Sequence, residues 1–268
     1  MQLTIIGAGP AYTNRRGAVA SSYLVRATEA EGGPASLLMD LGQGSFSNLA
    51  AEIEPSTLAA ILVSHLHPDH FIDLVALRHY LKWEFAPPRR VIVFAPAGLT
   101  ERLDALDGHT GFTAEALDVA PLAEGARRIG PFVVEARLVA HTEESYAFRV
   151  SAASGSDGGS PAGAPDVSTS IRGLVYSGDC ASTDGYVPLI RPGDTLLSEA
   201  TSGERPVPPG AQHITAVDAA RAATAGGAAR LLLTHILAGS SREDTYAAAR
   251  SAFAGPIRLV TEGETFEI

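Results

Sequence analysis

The 268-residue sequence has one cysteine, no long hydrophobic run and a shortage of positive charge, and each deficit removes a class of protein. Cys180 alone can form neither an intrachain disulfide nor a thiolate metal cage, so any metal site must be built from His, Asp and Glu. No uninterrupted apolar stretch approaches the roughly 20 residues needed to cross a bilayer, so no membrane is expected as a partner and the apolar residues must form a core. The start, Met1-Gln2-Leu3-Thr4-Ile5-Ile6, lacks the basic run and apolar segment of a signal peptide and reads as a first β-strand, which makes the cytoplasm the expected compartment. With 20 Lys and Arg against 30 Asp and Glu the formal charge is −10, which argues against a general grip on nucleic-acid backbones through clustered cations. The basic pairs Arg15-Arg16, Arg89-Arg90 and Arg127-Arg128 read as solvated surface charge. No internal repeat is detectable either, although two halves related only in shape remain open.

What is present is the alternation of a layered α/β protein. Folds of this type with roughly 200–250 residues are often one compact unit, so a single domain over residues 1–268 is the expectation. Strands are expected at 19–27, 36–41, 58–63, 91–94, 132–139, 146–150, 171–176, 195–197, 231–233 and 257–260. Helices are expected near 47–53, after Pro68 with an apolar stripe through Leu77, and at 99–106, 215–225 and 242–253, with Thr215 and Asp218 forming a near capping box. Residues 151–170, rich in Ser, Gly, Ala and Pro, read as a flexible loop inside the domain.

The densest chemistry lies in Ser64-His65-Leu66-His67-Pro68-Asp69-His70, on the loop between the 58–63 strand and the following helix. Four metal-competent groups within six residues are hard to explain by packing. Imidazoles and carboxylates suit Zn²⁺ and neighbouring ions such as Mn²⁺ or Fe²⁺.

His65-x-His67-x-Asp69-His70 resembles the signature of the metallo-β-lactamase superfamily, and the other motifs of that family can be matched in order. Asp40 in Leu37-Leu38-Met39-Asp40 resembles the aspartate that buttresses the histidine loop. His141, Asp179 in Ser177-Gly178-Asp179, and His235 in Leu233-Thr234-His235 resemble the third, fourth and fifth motifs. The resemblance covers nearly the whole chain and implies a four-layer αββα sandwich. It also implies two divalent metal ions, Zn²⁺ before Mn²⁺ or Fe²⁺. His65, His67 and His141 would hold one ion and Asp69, His70 and His235 the other, with Asp179 bridging both and Asp69 also serving catalysis. A metal-bridged hydroxide would be the nucleophile.

The segments Glu199-Ala200-Thr201 and His213-Ile214-Thr215 resemble the tRNase Z-like phosphodiesterase branch. There the resemblance implies that Glu199 orients His213, and that His213 binds a phosphate oxygen or protonates the leaving oxygen. Removing the Glu199 charge is expected to be milder than removing the His213 imidazole. Asn14, Ser21 and Ser22 fit the branch's substrate-facing second strand. The long basic arm of true tRNase Z enzymes is missing, since residues 151–170 contain no Lys or Arg, and Asp73 stands where those enzymes usually have glycine. The stretch His141-Thr142-Glu143-Glu144-Ser145-Tyr146, the later Leu233-Thr234-His235-Ile236 and the ending Thr261-Glu262-Gly263-Glu264-Thr265-Phe266-Glu267-Ile268 resemble arm-less actinobacterial cyclic-nucleotide phosphodiesterases, which implies a small phosphodiester substrate. An RNA 3′-end endonuclease, a lactone or thioester hydrolase and a non-catalytic metal binder are the alternatives, and a homodimer is a possible assembly.

Overall fold

A computed structural model describes residues 1–28, 33–153 and 172–268. One sheet contains β1 (Gln2–Gly7), β2 (Ser22–Thr28), β3 (Pro34–Met39), β4 (Ala60–Leu62), β5 (Val91–Ala95) and β6 (Leu117–Pro121) in chain order. The second contains β7 (Gly125–Ile129), β8 (Phe132–Val139), β9 (Ser145–Ala152), β10 (Gly173–Tyr176), β11 (Thr195–Glu199), β12 (Arg230–Thr234) and β13 (Ile257–Leu259). The last strand, β14 (Thr265–Glu267), returns to the first sheet and pairs with β1, with Leu3 opposite Phe266. From β14 to β6, three antiparallel pairings are followed by three parallel ones, and the series from β7 to β13 is the same. The halves are therefore related in shape where the sequence shows no repeat.

Three apolar layers hold four structural layers together. Leu3, Ile5, Val25, Leu37, Leu62, Phe132, Phe148, Leu197 and Leu232 pack between the two sheets. Leu24, Leu38, Ile61 and Val93 face the other way, toward α1 (Ser45–Glu52), α3 (Leu74–Trp83) and α4 (Leu99–Asp107) through Leu49, Leu77, Leu81 and Leu103. Val175, Leu196, Leu231 and Leu233 do the same toward α5 (Ala216–Gly226) and α6 (Arg242–Arg250). The result is the expected αββα sandwich. α5 buries five alanines, whose small side chains let it lie close to its sheet. It starts with a complete capping box: Thr215 Oγ1 accepts from the Asp218 N–H and Asp218 Oδ2 accepts from the Thr215 N–H.

Several boundaries differ from the sequence expectation for physical reasons. Residues 19–21 precede β2 because Val19 O and Ala20 N–H are engaged by Gly9 and Gln43 across the site edge. The helix expected after Pro68 is broken into α2 (Pro68–Phe71) and α3, because the Asp73 N–H donates to Leu41 O. Asp73 Oδ2 accepts the Phe46 N–H at 2.9 Å and so caps α1, whose own N-cap, Gly44, has no side chain to do so. Strands β6, β7 and β14 were not anticipated. β6 carries Asp118 and Pro121 and β7 carries Arg127 and Arg128, residue types that suit sheet edges but mask a strand pattern. The 151–170 loop, from 154 onward, and position 171 of the expected 171–176 strand lie outside the described residues. No described helix is long and apolar enough to cross a membrane.

Candidate metal centre

The chemically loaded residues all follow strand ends at one edge of the sandwich. Asp40 follows β3, the His65–His70 loop follows β4, His141 follows β8, Asp179 follows β10 and His235 follows β12. Ligand sites outside the carboxyl ends of parallel strands are the rule for such sheets, because diverging loops open a crevice there. Two of these residues, Asp40 at φ 61° and His235 at φ 57°, occupy the left-handed region that non-glycine residues rarely adopt. Strain of that kind is kept where a side chain must be aimed. Gly42 secures the close approach of Asp40's turn to the histidine loop, since a Cβ there would sit 1.9 Å from the Asp69 carbonyl oxygen.

The side chains converge as two overlapping groups. His65, His67, His141 and Asp179 bring one potential ligand atom each to within 4.8 Å of one another, and so do Asp69, His70, His235 and Asp179. In the first, His67 Nδ1 lies 3.0 Å from His65 Nε2 and 3.2 Å from His141 Nε2. In the second, His235 Nε2 is 3.1 Å from Asp69 Oδ2, and His70 Nε2 is 3.6 Å from the same oxygen. Asp179 Oδ2 belongs to both, 3.9 Å from His65 Nε2, 3.4 Å from His70 Nε2 and 3.5 Å from His235 Nε2.

The outward atoms of these rings decide which nitrogen faces inward without a proton. Asp40 Oδ2 can only accept, so His70 donates from Nδ1 (2.8 Å) and its Nε2 is left bare. Ser64 Oγ donates to Asp40 Oδ2, so its lone pair takes the Nδ1–H of His65 at 3.1 Å. His141 donates from Nδ1 to the Gln212 carbonyl. Thr201 Oγ1 donates to Glu199 Oε2 and therefore accepts the Nδ1–H of His235 at 2.8 Å. His67 turns Nε2 to the Thr142 hydroxyl. This outer shell is how metal-binding imidazoles are held in one tautomer. Two buried atoms, His70 Nε2 and Asp179 Oδ1, have no hydrogen-bond partner, an arrangement that costs free energy unless a cation completes it.

Electrostatics divide the imidazoles: burial would lower His70, but the Asp179 and Asp40 charges outweigh it and hold it well above its ordinary value, whereas two others move down. Burial, followed by the neighbouring imidazoles, pushes His65 well below its ordinary value, and burial likewise lowers His141, so both are neutral and ligand-competent. Burial alone would raise Asp69, but the His235 hydrogen bond and the His70 and His235 charges hold it at about 2. The donor set fits a pair of divalent cations.

Beside this cluster, Glu199 is buried and accepts five hydrogen bonds. Its Oε1 takes the Cys180 N–H at 2.7 Å and His213 Nδ1 at 3.1 Å; its Oε2 takes the Thr201 hydroxyl at 2.6 Å and the Thr201 and Ile214 amides at 3.3 and 3.4 Å. The half-buried His213 ring lies 5.4 Å from that of His141 and 5.7 Å from that of His235. Burial would lower the His213 pKa, but the Glu199 hydrogen bond and charge outweigh it and the net shift is upward. Asp69, His213 and Glu199 thus stand together with the metal-competent groups.

Ser21 and Ser22, expected to face substrate, do not. Both are fully buried: Ser22 Oγ donates to the Asp40 carbonyl, and Ser21 Oγ accepts from the Tyr23 hydroxyl. Their role is to hold the Asp40 turn. Asn14 lies exposed on the β1–β2 loop and makes no hydrogen bond to the cluster. The sequence reading missed Tyr176, whose hydroxyl donates to Asp40 Oδ2, and the orienting roles of Ser64, Thr142 and Thr201. Ser64 and Thr142 adjoin the ligands His65 and His141 in the chain, a signal that could have found them, whereas Thr201 and Tyr176 have no ligand beside them in sequence. Cys180 is buried and its thiol is pushed well up by burial, then by the Glu199 and Asp179 charges, so it is inert.

Comparison with known proteins adds the following. Residues 38–236 match the family described as "Beta-lactamase superfamily domain". An uncharacterized protein of Mycobacterium leprae is 33% identical over 93% of this chain and 82% of its own length. The "Probable metallo-hydrolase YhfI" of Bacillus subtilis is 25% identical with complete coverage of both, and its crystal structure superposes with a TM-score of 0.81 over 99% of each chain at 22% identity. The short form of human tRNase Z gives a TM-score of 0.68 at 22% identity, covering 100% of this chain and 99% of its own. A diphosphatase of the PhnP family gives 0.72 at 19% identity, covering 100% and 97%.

Proposed function

The chain belongs to the beta-lactamase superfamily and is a metal-dependent hydrolase of the metallo-β-lactamase fold, and from that premise we propose that it cleaves a small phosphodiester, with a cyclic nucleotide as the leading substrate. The observation that carries this reading is the Glu199–His213 pair beside the seven-residue cluster, because acyl transfer at a carbonyl does not require it whereas a phosphodiester presents a charged oxygen and a poor leaving group.

In this reading His65, His67 and His141 would hold one ion and Asp69, His70 and His235 the other, with Asp179 belonging to both groups; Zn²⁺ would suit the donors best. Bound there, two cations lower the pKa of water and neutralise charge on the phosphoryl group. The chain's own residues do the rest. Glu199 fixes the His213 Nδ1–H and favours the protonated ring, leaving Nε2, which makes no hydrogen bond to the described residues, to donate a proton to the departing oxygen. Asp40, Ser64, Thr142 and Thr201 keep the imidazoles in register. The absence of Lys and Arg from residues 151–170 favours a small substrate over a folded RNA.

The test is turnover of purified protein loaded with Zn²⁺ on 3′,5′-cyclic AMP, a dinucleotide, precursor tRNA and a lactone. Cyclic AMP hydrolysis lost in His213→Ala supports the proposal. Cleavage of precursor tRNA alone would replace it with the endonuclease reading, and lactone hydrolysis indifferent to His213 would overturn it.

A further inference from the structure

The three-histidine group is assembled from two loops that leave different sheets: His65 and His67 follow β4 of the first, and His141 follows β8 of the second. Within the group His67 meets both neighbours through Nδ1, at 3.0 Å from His65 Nε2 and 3.2 Å from His141 Nε2, so the close nitrogen contact across the two loops runs through His67. A side chain belonging to neither loop joins them. Arg102, in the first turn of α4, donates from Nη1 to the carbonyl oxygen of Leu66, the residue between His65 and His67. Its Nη2 donates to Glu143 Oε2 at 2.6 Å. Glu143 stands two residues beyond His141 and next to Thr142, whose hydroxyl meets His67 Nε2 at 2.9 Å. Leu66 itself is buried, with its side chain near Gly98 at the start of α4, so the guanidinium sits on a fixed platform.

We propose that Arg102 is a positioning residue for the metal centre: its planar fork sets the separation of the His65/His67 and His141 loops and thereby the cation affinity of that group, leaving the Asp69/His70/His235 group unaffected. The inference rests on reading these groups as metal sites. Arg102 is about half exposed, and an exposed ion pair adds little to global stability, so its value lies in geometry. A guanidinium suits the task because one rigid group can donate to a carbonyl and a carboxylate in the same plane, which an ammonium cannot do.

The experiment strips the full-length protein, then titrates Zn²⁺ against a chromophoric chelator, with Co²⁺ absorption reporting the ligand field. Wild type should take up two ions; if it takes up none, the metal reading itself has failed, a result distinct from failure of the clamp. Arg102→Ala should weaken one of the two by about 10–100-fold, the usual effect of losing an outer-shell partner. The other ion and the melting temperature of the stripped protein should stay unchanged, and Arg102→Lys should fall between. Glu143→Gln should weaken the same ion, and it carries the test if Arg102→Ala does not fold. In a His65→Ala background, adding Arg102→Ala should leave the remaining ion untouched. Wild-type affinity for both ions in Arg102→Ala and Glu143→Gln, or equal weakening of both together with a lower melting temperature, would overturn the proposal.

Discussion

Replacing Glu199 by glutamine removes one charge and changes almost no volume, yet the hydrogen bonds around it make the substitution severe. All five of its partners are used as donors: the amides of Cys180, Thr201 and Ile214, the Thr201 hydroxyl and His213 Nδ1. A glutamine must place an N–H₂ group where one carboxylate oxygen was. On the Oε1 side it meets the Cys180 N–H and evicts the His213 proton. On the Oε2 side it meets two more amides and forces the Thr201 hydroxyl to accept. Thr201 then donates to His235 Nδ1, which moves the His235 proton to Nε2, the atom facing Asp69. Each buried donor set against a donor costs about 1–3 kcal/mol, and in a chain of this size a kilocalorie lowers Tm by roughly 2–4 °C. Glu199→Gln is therefore expected to melt several degrees lower and to bind one of two Zn²⁺ ions about 10–100-fold more weakly. It should also lose turnover at least as badly as His213→Ala, which reverses the milder effect expected when Glu199 is seen only as a partner of His213. Thr201→Val should reproduce the metal defect with the Glu199–His213 pair intact, and Thr201→Ser should restore it. Calorimetry, chelator competition and kcat on a phosphodiester read the three consequences. A Glu199→Gln protein with wild-type Tm and metal affinity would refute the donor-only account.

Four further outcomes are expected. His213→Ala should retain both ions while kcat falls about 10²–10⁴-fold, with a smaller loss when the leaving group is nitrophenolate; an equal loss would assign His213 to phosphate binding instead. Because the His213 pKa is raised, its acid form persists above the ordinary histidine range, so activity should decline as pH rises through that raised value; a pH–rate profile in His213→Ala that keeps this alkaline limb would remove the acid role. Asp179→Ala should disturb both ions and His65→Ala mainly one, as metal analysis of the two proteins will show, and equal loss in both would contradict the shared position of Asp179. Arg149 is buried and meets Asp194 through Nε–Oδ2 at 2.8 Å and Nη2–Oδ1 at 2.9 Å, so Asp194→Ala should cost about 3–5 kcal/mol, or roughly 6–20 °C of Tm, and a loss below 1 kcal/mol by denaturant titration would show the pair to be dispensable.

The cluster His65, His67, Asp69 and His70 was legible because metal chemistry compresses it into six residues after a buried apolar run. Asp40, His141, Asp179 and His235 could be found only because each follows such a run in a fixed order; nothing in their immediate neighbours announces them. Ser21 and Ser22 misled because a serine pair near a strand start suits both a substrate contact and a buried turn, and only burial distinguishes the two. Arg102 was invisible for a different reason. It lies on an ordinary amphipathic helix, and its importance comes from which two loops the fold carries past it.

The parallel pairing found in both sheets explains why the orienting network is built the way it is. β3 and β4 of the first sheet correspond in position to β10 and β11 of the second, and the parallel run continues in each sheet, so β11 and β12 are also parallel neighbours, one strand further along. In the first sheet the carboxylate after β3, Asp40, reaches through the Ser64 hydroxyl to His65; in the second the carboxylate ending β11, Glu199, reaches through the Thr201 hydroxyl to His235 after β12. Both relays are carboxylate, hydroxyl, imidazole, and both run between adjacent parallel strand ends, which lie close enough for a short side chain to span. One relay serves each metal-competent group. The difference between them is the spare oxygen. Asp40 uses its other contacts on Ser64, His70 and Tyr176, all buried, whereas Glu199 uses Oε1 on His213, which is partly open to solvent. The first relay can therefore only hold ligands in place. The second ties His235 to the partly exposed His213 ring, so a change at Glu199 is expected to be felt at both imidazoles together.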